Sequence, residues 1–328
     1  MGYGIHNDLI ERFVAAHESK MCFVPESASE SHRLSEALRR GDVVSPAPKV
    51  YALPDLWDEL SPTEREQYKV RALARLHPDW IFAGPSAAVL QGLYVSYRLL
   101  GKTHVVTSCH AHTRSALRLQ RHCMNCDEPD KAEGILVTPL VRTAFDCMNG
   151  ADFRAALCIA DSALRAIDDI SDAFVERLAA IVSHSKDKER VLATASLANA
   201  LSESGGESTA RAVMIEEGFM MPTLQKELTN PVDASQVFRV DFFWHLPGGD
   251  VVGELDGREK YRNPTMTKGR DLVDILALER LRESRVSGTN AKVMRFSYSD
   301  VLDTGRFRHL LTSYGVPSGF EVPWVARK

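Results

Sequence analysis

The sequence predicts an α/β protein of several domains, and three observations favour this class. Its 328 residues exceed one ordinary hydrophobic core, so division into two or three domains is expected. Segments with helical periodicity alternate with short apolar runs typical of strands in the middle and C-terminal parts of the chain. Near the C-terminus, Gly248-Gly249 separates two alternating apolar segments, which predicts a β-hairpin.

Residues 1–58 are predicted to form a small winged helix-turn-helix unit. A second helix over 31–40 ends at Gly41, a residue typical of helix C-termini, and two short apolar strands then flank a turn containing proline. In this motif the second helix enters the DNA major groove, while the alternative is a helical cap with ordinary surface arginines. The residues expected to contact phosphates or base edges are Arg33, Arg39, Arg40 and Lys49.

Residues 59–203 are predicted to form an α/β middle domain with a helical linker. A helix begins at 61–64, where Ser-Pro precedes an acidic first turn. Short strands are expected over 104–107 and 134–138, and helical periodicity continues to about residue 202. Gly205-Gly206 interrupts this periodicity, so the last domain is expected to span 204–328.

The predicted hairpin of the last domain brings acidic residues to one face. A type I′ turn at Gly248-Gly249 needs positive φ at both central positions and sets the register of the two strands. With that register, Asp241 lies opposite Asp256, and Glu254 lies on the same face opposite Phe243. Strand alternation sends the apolar residues to the other face, which is read as core: Val240, Phe242, Trp244 and Leu255.

This register predicts a tight cluster of Asp241, Glu254 and Asp256. Directly opposite Cβ atoms lie ~5 Å apart and diagonal neighbours ~7–8 Å apart. Carboxylates at such distances raise one another's pKa and oppose folding unless a positive charge lies among them. A hard divalent cation with oxygen ligands fits this need. The alternative is a solvated edge whose carboxylates pair with Arg239, Arg258 and Lys260.

The order of these features resembles the PD-(D/E)XK nuclease fold. A helix with Glu207 precedes a strand with Asp241, a Glu254-Leu255-Asp256-Gly257 strand, a basic helix and a strand ending in Arg-Phe. More narrowly, this order is similar to the compact branch related to very-short-patch-repair endonucleases. The resemblance implies an α/β domain with a mixed sheet in which Asp241 and Glu254 bind Mg²⁺ or Mn²⁺ and Glu207 assists. It implies Mg²⁺-dependent hydrolysis of phosphodiester bonds in DNA.

The chain departs from the family pattern at one position. The usual Glu-x-Lys becomes Glu254-Leu255-Asp256, so the lysine that polarises the nucleophile is missing there. Asp256 is assigned a supporting role, and Lys260 is the candidate for the missing cation. The helix that follows carries Lys268 and Arg270, which are expected to contact phosphates.

The N-terminal half resembles AbiEi-type antitoxins, which are transcriptional repressors of two-gene toxin–antitoxin operons. Small and apolar residues carry this resemblance in five segments, which read LSEALRRG (34–41), VYAL (50–53), GPSAAVLQGL (84–93), TPLVRTAFD (138–146) and AALCIADSAL (155–164). The resemblance implies operator DNA and a cognate toxin as partners. It also defines an alternative function, in which the chain is a regulator with a catalytically degenerate nuclease domain.

Composition sets further expectations. No apolar run approaches the ~20 residues that span a bilayer, and the N-terminus lacks a signal-peptide pattern, so a cytoplasmic protein without a membrane partner is expected. Six cysteines in a long chain predict reduced thiols. The net charge of −4 leaves DNA binding to depend on the distribution of charge. Zinc binding is a weaker hypothesis, and its ligands would be Cys109, His112, Cys123 and Cys126.

Overall fold

The structure is a computed structural model that describes residues 7–107, 118–168, 170–181, 186–256 and 291–327. The chain divides into two compact units, of which the first comprises residues 1–151 and 176–188 and the second comprises 152–175 and 189–328. Both units contain helices and strands, so the predicted mixed α/β class is confirmed. Within the described residues, no helix is both long enough and apolar enough to span a membrane.

In its described residues, the first unit combines helices with three small two-stranded sheets. Strands β1 and β2 pair antiparallel, β3 and β4 pair parallel, and β5 and β6 pair antiparallel. Its elements are α1 (Asn7–Glu18), α2 (Ala28–Arg40), β1 (Val44–Ala47), β2 (Val50–Ala52), α3 (Pro54–Glu59), α4 (Pro62–Leu76), α5 (Gly84–Leu90), β3 (Thr103–Thr107), β4 (Leu119–Cys123), β5 (Asp130–Ala132), β6 (Ile135–Val137) and α6 (Leu140–Met148).

The N-terminal helix and hairpin follow the sequence pattern closely. Helix α2 begins after Ser27, whose side chain accepts a hydrogen bond from the amide of Glu30, and it ends at Gly41 in the left-handed conformation. Strands β1 and β2 then form the predicted hairpin, with Lys49 at its turn. Buried Leu34 and Phe13 join the two helices in one core cluster. The second helix and hairpin are thus confirmed, and the winged-helix assignment stays a prediction.

A histidine pair links strands β3 and β4. His104 Nδ1 lies 2.9 Å from His122 Nε2, so one ring donates a hydrogen bond to the other. Burial, the largest cause, and the positive charges of the neighbouring His122, Lys69 and Lys102 together lower the pKa of His104 to about 4. Burial also lowers the pKa of His122, with a further contribution from Arg142. The folded unit therefore favours two neutral rings.

Acidification should destabilise the first unit through this pair. In the unfolded chain a histidine titrates near its ordinary pKa of ~6.5, so the unfolded state binds more protons than the folded state from about pH 6.5 down to 4. Stability is therefore expected to fall as the pH is lowered through this window. Urea denaturation at pH 7 and pH 5 measures the effect. His104→Gln should reduce the difference between the two pH values, and exposed His32→Gln should not. Equal pH dependence in both variants would contradict the assignment.

The second unit is built on a mixed four-stranded sheet with strand order β10-β9-β8-β7. Strands β7 and β8 pair antiparallel, as do β8 and β9, whereas β9 and β10 pair parallel. Its elements are α7 (Phe153–Ile167), α9 (Lys188–Ala195), α10 (Gly205–Glu216), β7 (Thr223–Thr229), β8 (Val237–Trp244), β9 (Val251–Asp256), β10 (Lys292–Ser297), α11 (Tyr298–Leu302) and α12 (Thr304–Ser313), and α8 (Ser171–Ile181) spans the boundary between the units.

Helix α10 and helix α12 cover one face of this sheet. The apolar side chains of β8 and β10 meet those of the two helices in a single core. The face assigned to the core from strand alternation is therefore confirmed for Phe242, Trp244 and Leu255. The buried members of this cluster include Val213, Met214, Phe242, Trp244, Met294, Phe296, Phe307 and Leu311.

Helix α7 also belongs to the second unit, although it precedes the boundary predicted at residue 204. It packs against α10. Arg211 Nη1 donates to Asp161 Oδ2 at 2.6 Å between the two helices, and the side chains are 6% and 0% exposed, respectively. The amide of Asn199 also donates to Asp161, and Arg211 donates to the carbonyl of Leu197. These contacts join segments on both sides of Gly205-Gly206. The two glycines therefore lie inside one packed unit.

The hairpin between β8 and β9 differs from the predicted type I′ turn. The amide of Gly249 donates to the carbonyl of Leu246 at 3.0 Å, so Pro247 and Gly248 are the central residues of the turn. Of the two glycines, only Gly249 has a positive φ, at +104°. Proline favours the first central position because its ring fixes φ near −65°. The prediction of a Gly-Gly turn is therefore wrong.

The longer loop shifts the register of the hairpin. Trp244 pairs with Val251, and Phe243 pairs with Val252 rather than with Glu254. His245 Nδ1 lies 2.6 Å from Asp250 Oδ1 across the loop between them. The shift is an even number of residues, so by itself it does not move a side chain to the other face. Val240 nevertheless packs in a separate cluster with Val252 and Ala291, so its predicted place in the core beside Phe242 and Trp244 is wrong.

The cysteines differ in part from the prediction of reduced thiols. Cys123 is disulfide-bonded, so that prediction is wrong for this residue. A disulfide sulfur has no thiolate to offer a metal, which argues against the zinc hypothesis. Cys126 is free, whereas Cys109 and His112 lie outside the described residues.

Candidate active site

The centre of the candidate site is a pair of carboxylates on adjacent strands. Phe242 pairs with Gly253, and continuing this register by one residue places Asp241 opposite Glu254. Asp241 Oδ2 accepts a hydrogen bond of 3.0 Å from the amide of Leu255, which holds the aspartate side chain against β9. Both acidic residues are half-buried. The structure therefore brings Asp241 and Glu254 together on one face of the sheet.

Asp256 lies further from Asp241 than the sequence suggested. The predicted pairing of these two residues is wrong, because the register places Glu254 in the position expected for Asp256. Asp256 is the last residue of β9 and pairs with Ser297 of β10. Its Oδ1 lies 3.9 Å from Nε of Arg295, which makes a weak ion pair. Asp256 thus borders the carboxylate pair and is itself balanced by a cation.

Glu207 lies in the first turn of α10 and reaches towards the sheet. Its Oε1 accepts a hydrogen bond from Ser204 Oγ, and its Oε2 accepts from the amide of Glu203 and from Nε2 of Gln225. Burial raises the pKa of Glu207 and the hydrogen bonds from the Glu203 amide and from Ser204 oppose the rise, while the negative charge of Asp241 raises the pKa further. The structure therefore places Glu207 close enough to Asp241 for their charges to interact.

Gln225 is a site residue that sequence reasoning missed. It lies in β7 opposite Asp241, between two regular pairs of the β7–β8 ladder, yet its φ is +51°. A left-handed backbone costs a non-glycine residue about 1–2 kcal/mol, and such conformations concentrate at functional sites. Its amide joins β7 to Glu207 at 3.0 Å. A glutamine within a strand pattern carries no sequence signal of this geometry.

Two glycines allow the elements of the site to pack closely. A Cβ on Gly206 would lie 2.6 Å from Leu255 Cδ2, so glycine lets the start of α10 approach β9 and bring Glu207 to the sheet. A Cβ on Gly253 would lie 3.1 Å from Cβ of Phe242, so the centre of the β8–β9 pair also leaves little room for a side chain. Neither glycine is needed here for a positive φ. Both serve close approach of backbone and side chains.

The other predicted site residues are not part of this group. Lys260, Lys268 and Arg270 lie outside the described residues, so the structure gives no position for the candidate cation or for the basic helix. In the first unit, Arg40 Nε binds Asp42 Oδ2 at 2.8 Å. The DNA-binding residues predicted in the first unit are exposed, on α2 or at the β1–β2 turn: Arg33, Arg39, Arg40 and Lys49.

The donor set suits magnesium better than zinc or calcium. Among the residues that the structure describes, no group of three or more His, Cys, Asp and Glu side chains is arranged to hold a metal ion. Mg²⁺ is usually bound by one or two protein carboxylates, with water and substrate phosphates completing its coordination. Asp241 and Glu254 supply such a pair of hard oxygen ligands. The residues present therefore fit Mg²⁺ or Mn²⁺ held by two side chains.

Comparisons with known proteins add no relative from which a function could be transferred. The chain matches no protein-family model, no curated protein and no solved structure. The chemistry of the site is therefore inferred from its own residues and their geometry.

Proposed function

We propose that the second unit is a divalent-metal-dependent endodeoxyribonuclease that hydrolyses phosphodiester bonds. The observation that carries this proposal is the position of Asp241 and Glu254, each one residue beyond the paired Phe242 and Gly253 on adjacent strands, near a helix-borne Glu207. The resemblance to the PD-(D/E)XK fold supports it, because its order of helix glutamate, strand aspartate and strand glutamate is also the order of these elements in the unit.

The surroundings of the carboxylate pair suit an anionic polymer bound from one side. The opposite face of the sheet is closed by α10, where Phe242 and Met294 are fully buried. Asp241 and Glu254 are themselves only half-buried, so a phosphate can reach them from solvent. Ligands on a strand pair that packs on a core are held in a fixed position.

The roles of the residues follow from this arrangement. Asp241 and Glu254 would hold Mg²⁺ or Mn²⁺, which when bound makes water more acidic and neutralises charge on the scissile phosphate. The Leu255 amide fixes the orientation of Asp241, and Gln225 fixes that of Glu207. Glu207 adds negative charge near Asp241 and so strengthens the attraction of the site for a cation.

Plasmid cleavage tests this function directly. Supercoiled plasmid incubated with the purified chain and Mg²⁺ or Mn²⁺ should be converted to nicked and linear forms. The same mixture with EDTA should leave the plasmid supercoiled. Plasmid that stays intact with either metal, over a range of ionic strength and substrate forms that includes single strands, would contradict the proposal.

A second candidate function is favoured by the exposed basic residues of the first unit. Arg33 and Arg39 lie on the exposed surface of α2, and Lys49 lies at the turn of the hairpin that follows. In an AbiEi-like regulator or antitoxin this surface would bind operator DNA, a cognate toxin would be a further partner, and the carboxylate pair would be catalytically inert. No cleavage, together with a salt-sensitive mobility shift of promoter DNA that Arg33→Ala weakens, would support this function instead.

A further inference from the structure

Strand β10 places an arginine beside the carboxylate pair. It runs parallel to β9, and Arg295 is in register with Glu254. Residues in register on neighbouring strands have side chains on the same face of a sheet. Arg295 therefore shares the face of Glu254 and Asp241, and its Nε lies 3.9 Å from Oδ1 of Asp256.

The position of Arg295 is fixed by the core on either side of it. The adjacent residues Met294 and Phe296 are buried in the main cluster of the unit. Tyr314 donates a hydrogen bond of 3.1 Å to the carbonyl of Val293, which ties helix α12 to the same strand. The Arg295 side chain is nevertheless 33% exposed, so it extends from a rigid strand towards solvent.

The negative charges of the site would be stabilised by a cation at the position of Arg295. Glu207, Asp241, Glu254 and Asp256 all carry carboxyl groups, and a DNA backbone brought to them is also negative. The position where the resemblance would put a lysine holds Asp256 instead. A guanidinium presents five N–H donors in a planar fork that matches phosphate oxygens, and it stays protonated at every physiological pH.

We propose that Arg295 contacts the scissile phosphate and supplies the positive charge that the motif lysine would otherwise supply. This inference rests on the proposed nuclease function. Because the guanidinium does not lose its proton, Arg295 stabilises negative charge on the phosphate oxygens and does not deprotonate the attacking water. It acts on the substrate and is not a metal ligand.

Four variants and one small molecule test the inference. Arg295→Ala should lower the cleavage rate at saturating DNA and Mn²⁺ by about 10²–10³-fold, the usual effect of removing one charge-stabilising donor. Its Mn²⁺ affinity, measured by calorimetric titration, should stay at the wild-type value. Added methylguanidinium should restore part of the rate of Arg295→Ala. Arg295→Lys should keep an intermediate rate.

The matched control is Lys292→Ala, which removes an exposed basic side chain from the same strand. This variant should cleave as the wild type does. Arg295→Gln replaces Arg295→Ala if the alanine variant does not fold.

The outcomes separate this inference from the function on which it rests. If the wild type shows no metal-dependent cleavage, the proposed function fails and this inference fails with it. If the wild type cleaves and Asp241→Asn does not, the function stands. Wild-type cleavage by Arg295→Ala would then overturn the role of Arg295 alone. Loss of Mn²⁺ affinity in parallel with loss of cleavage would also overturn it, because the arginine would then serve the metal site and not the phosphate.

Discussion

Asp241→Asn should reduce metal-dependent cleavage by about 10³-fold or more, at or above the upper end of the loss from removing a single charge-stabilising donor. Asparagine has the shape of aspartate, and its amide oxygen can still accept the hydrogen bond from the Leu255 amide. The change therefore removes the charge that binds the metal while it keeps the contact that positions the side chain. The cleavage rate at fixed Mn²⁺ measures the effect.

The same hairpin offers a matched control for this variant. Asp250 lies at the other end of β8–β9, beside His245, and Asp250→Asn removes one negative charge there without touching the carboxylate pair. It should cleave at the wild-type rate. In the absence of metal, the free energy of unfolding of Asp241→Asn should be at least that of the wild type, because the change removes the repulsion between Asp241 and Glu207. Wild-type cleavage by Asp241→Asn would exclude Asp241 as a metal ligand.

Arg211→Met should destabilise the second unit by about 3–5 kcal/mol, the usual cost of removing one partner of a buried ion pair. Asp161 is fully buried, and its pKa is raised by burial and lowered by Arg211 and by the amide of Asn199. Without Arg211, the carboxylate must either stay charged without its counter-ion or take up a proton. Urea denaturation followed by circular dichroism measures the change in the free energy of unfolding.

Two further variants show whether burial causes this loss. Arg239→Met breaks the exposed pair with Glu203, whose side chains are 54% and 43% exposed, and should cost no more than about 1 kcal/mol. Arg211→Met combined with Asp161→Leu should recover much of the loss, because no charge then stays buried. Equal effects of Arg211→Met and Arg239→Met would contradict the account of the α7–α10 contact.

The parts of the fold that the sequence could predict are those governed by local rules. Helix α2 and its end at Gly41 follow from capping and periodicity. The core face of the β8–β9 hairpin at Phe242, Trp244 and Leu255 follows from strand alternation, which an even shift of register leaves unchanged, whereas Val240 packs in another cluster. The register itself was predicted wrongly, because Pro247-Gly248 and Gly248-Gly249 are both good turn pairs and the local sequence does not decide between them.

The parts that the sequence could not predict depend on contacts between distant segments. Arg295 comes beside Glu254 only because β10 pairs with β9 in parallel, which no local pattern reveals. Asp161 meets Arg211 across a separation of 50 residues. The left-handed φ of Gln225 is imposed by the surrounding sheet and helix, since glutamine has no local preference for it. The acidic residues of the candidate site were therefore accessible from the sequence, and the polar residues that support them were not.

The central claim is that one divalent ion is shared by Asp241 and Glu254. Calorimetric titration of Mn²⁺ into the wild type, Asp241→Asn, Glu254→Gln and the double variant tests this claim most directly. If the ion is shared, each single change should weaken Mn²⁺ binding by at least about 10-fold. The double variant should then lose clearly less binding free energy than the sum of the two single losses. Unchanged affinity in either single variant, or fully additive losses, would contradict a shared ion.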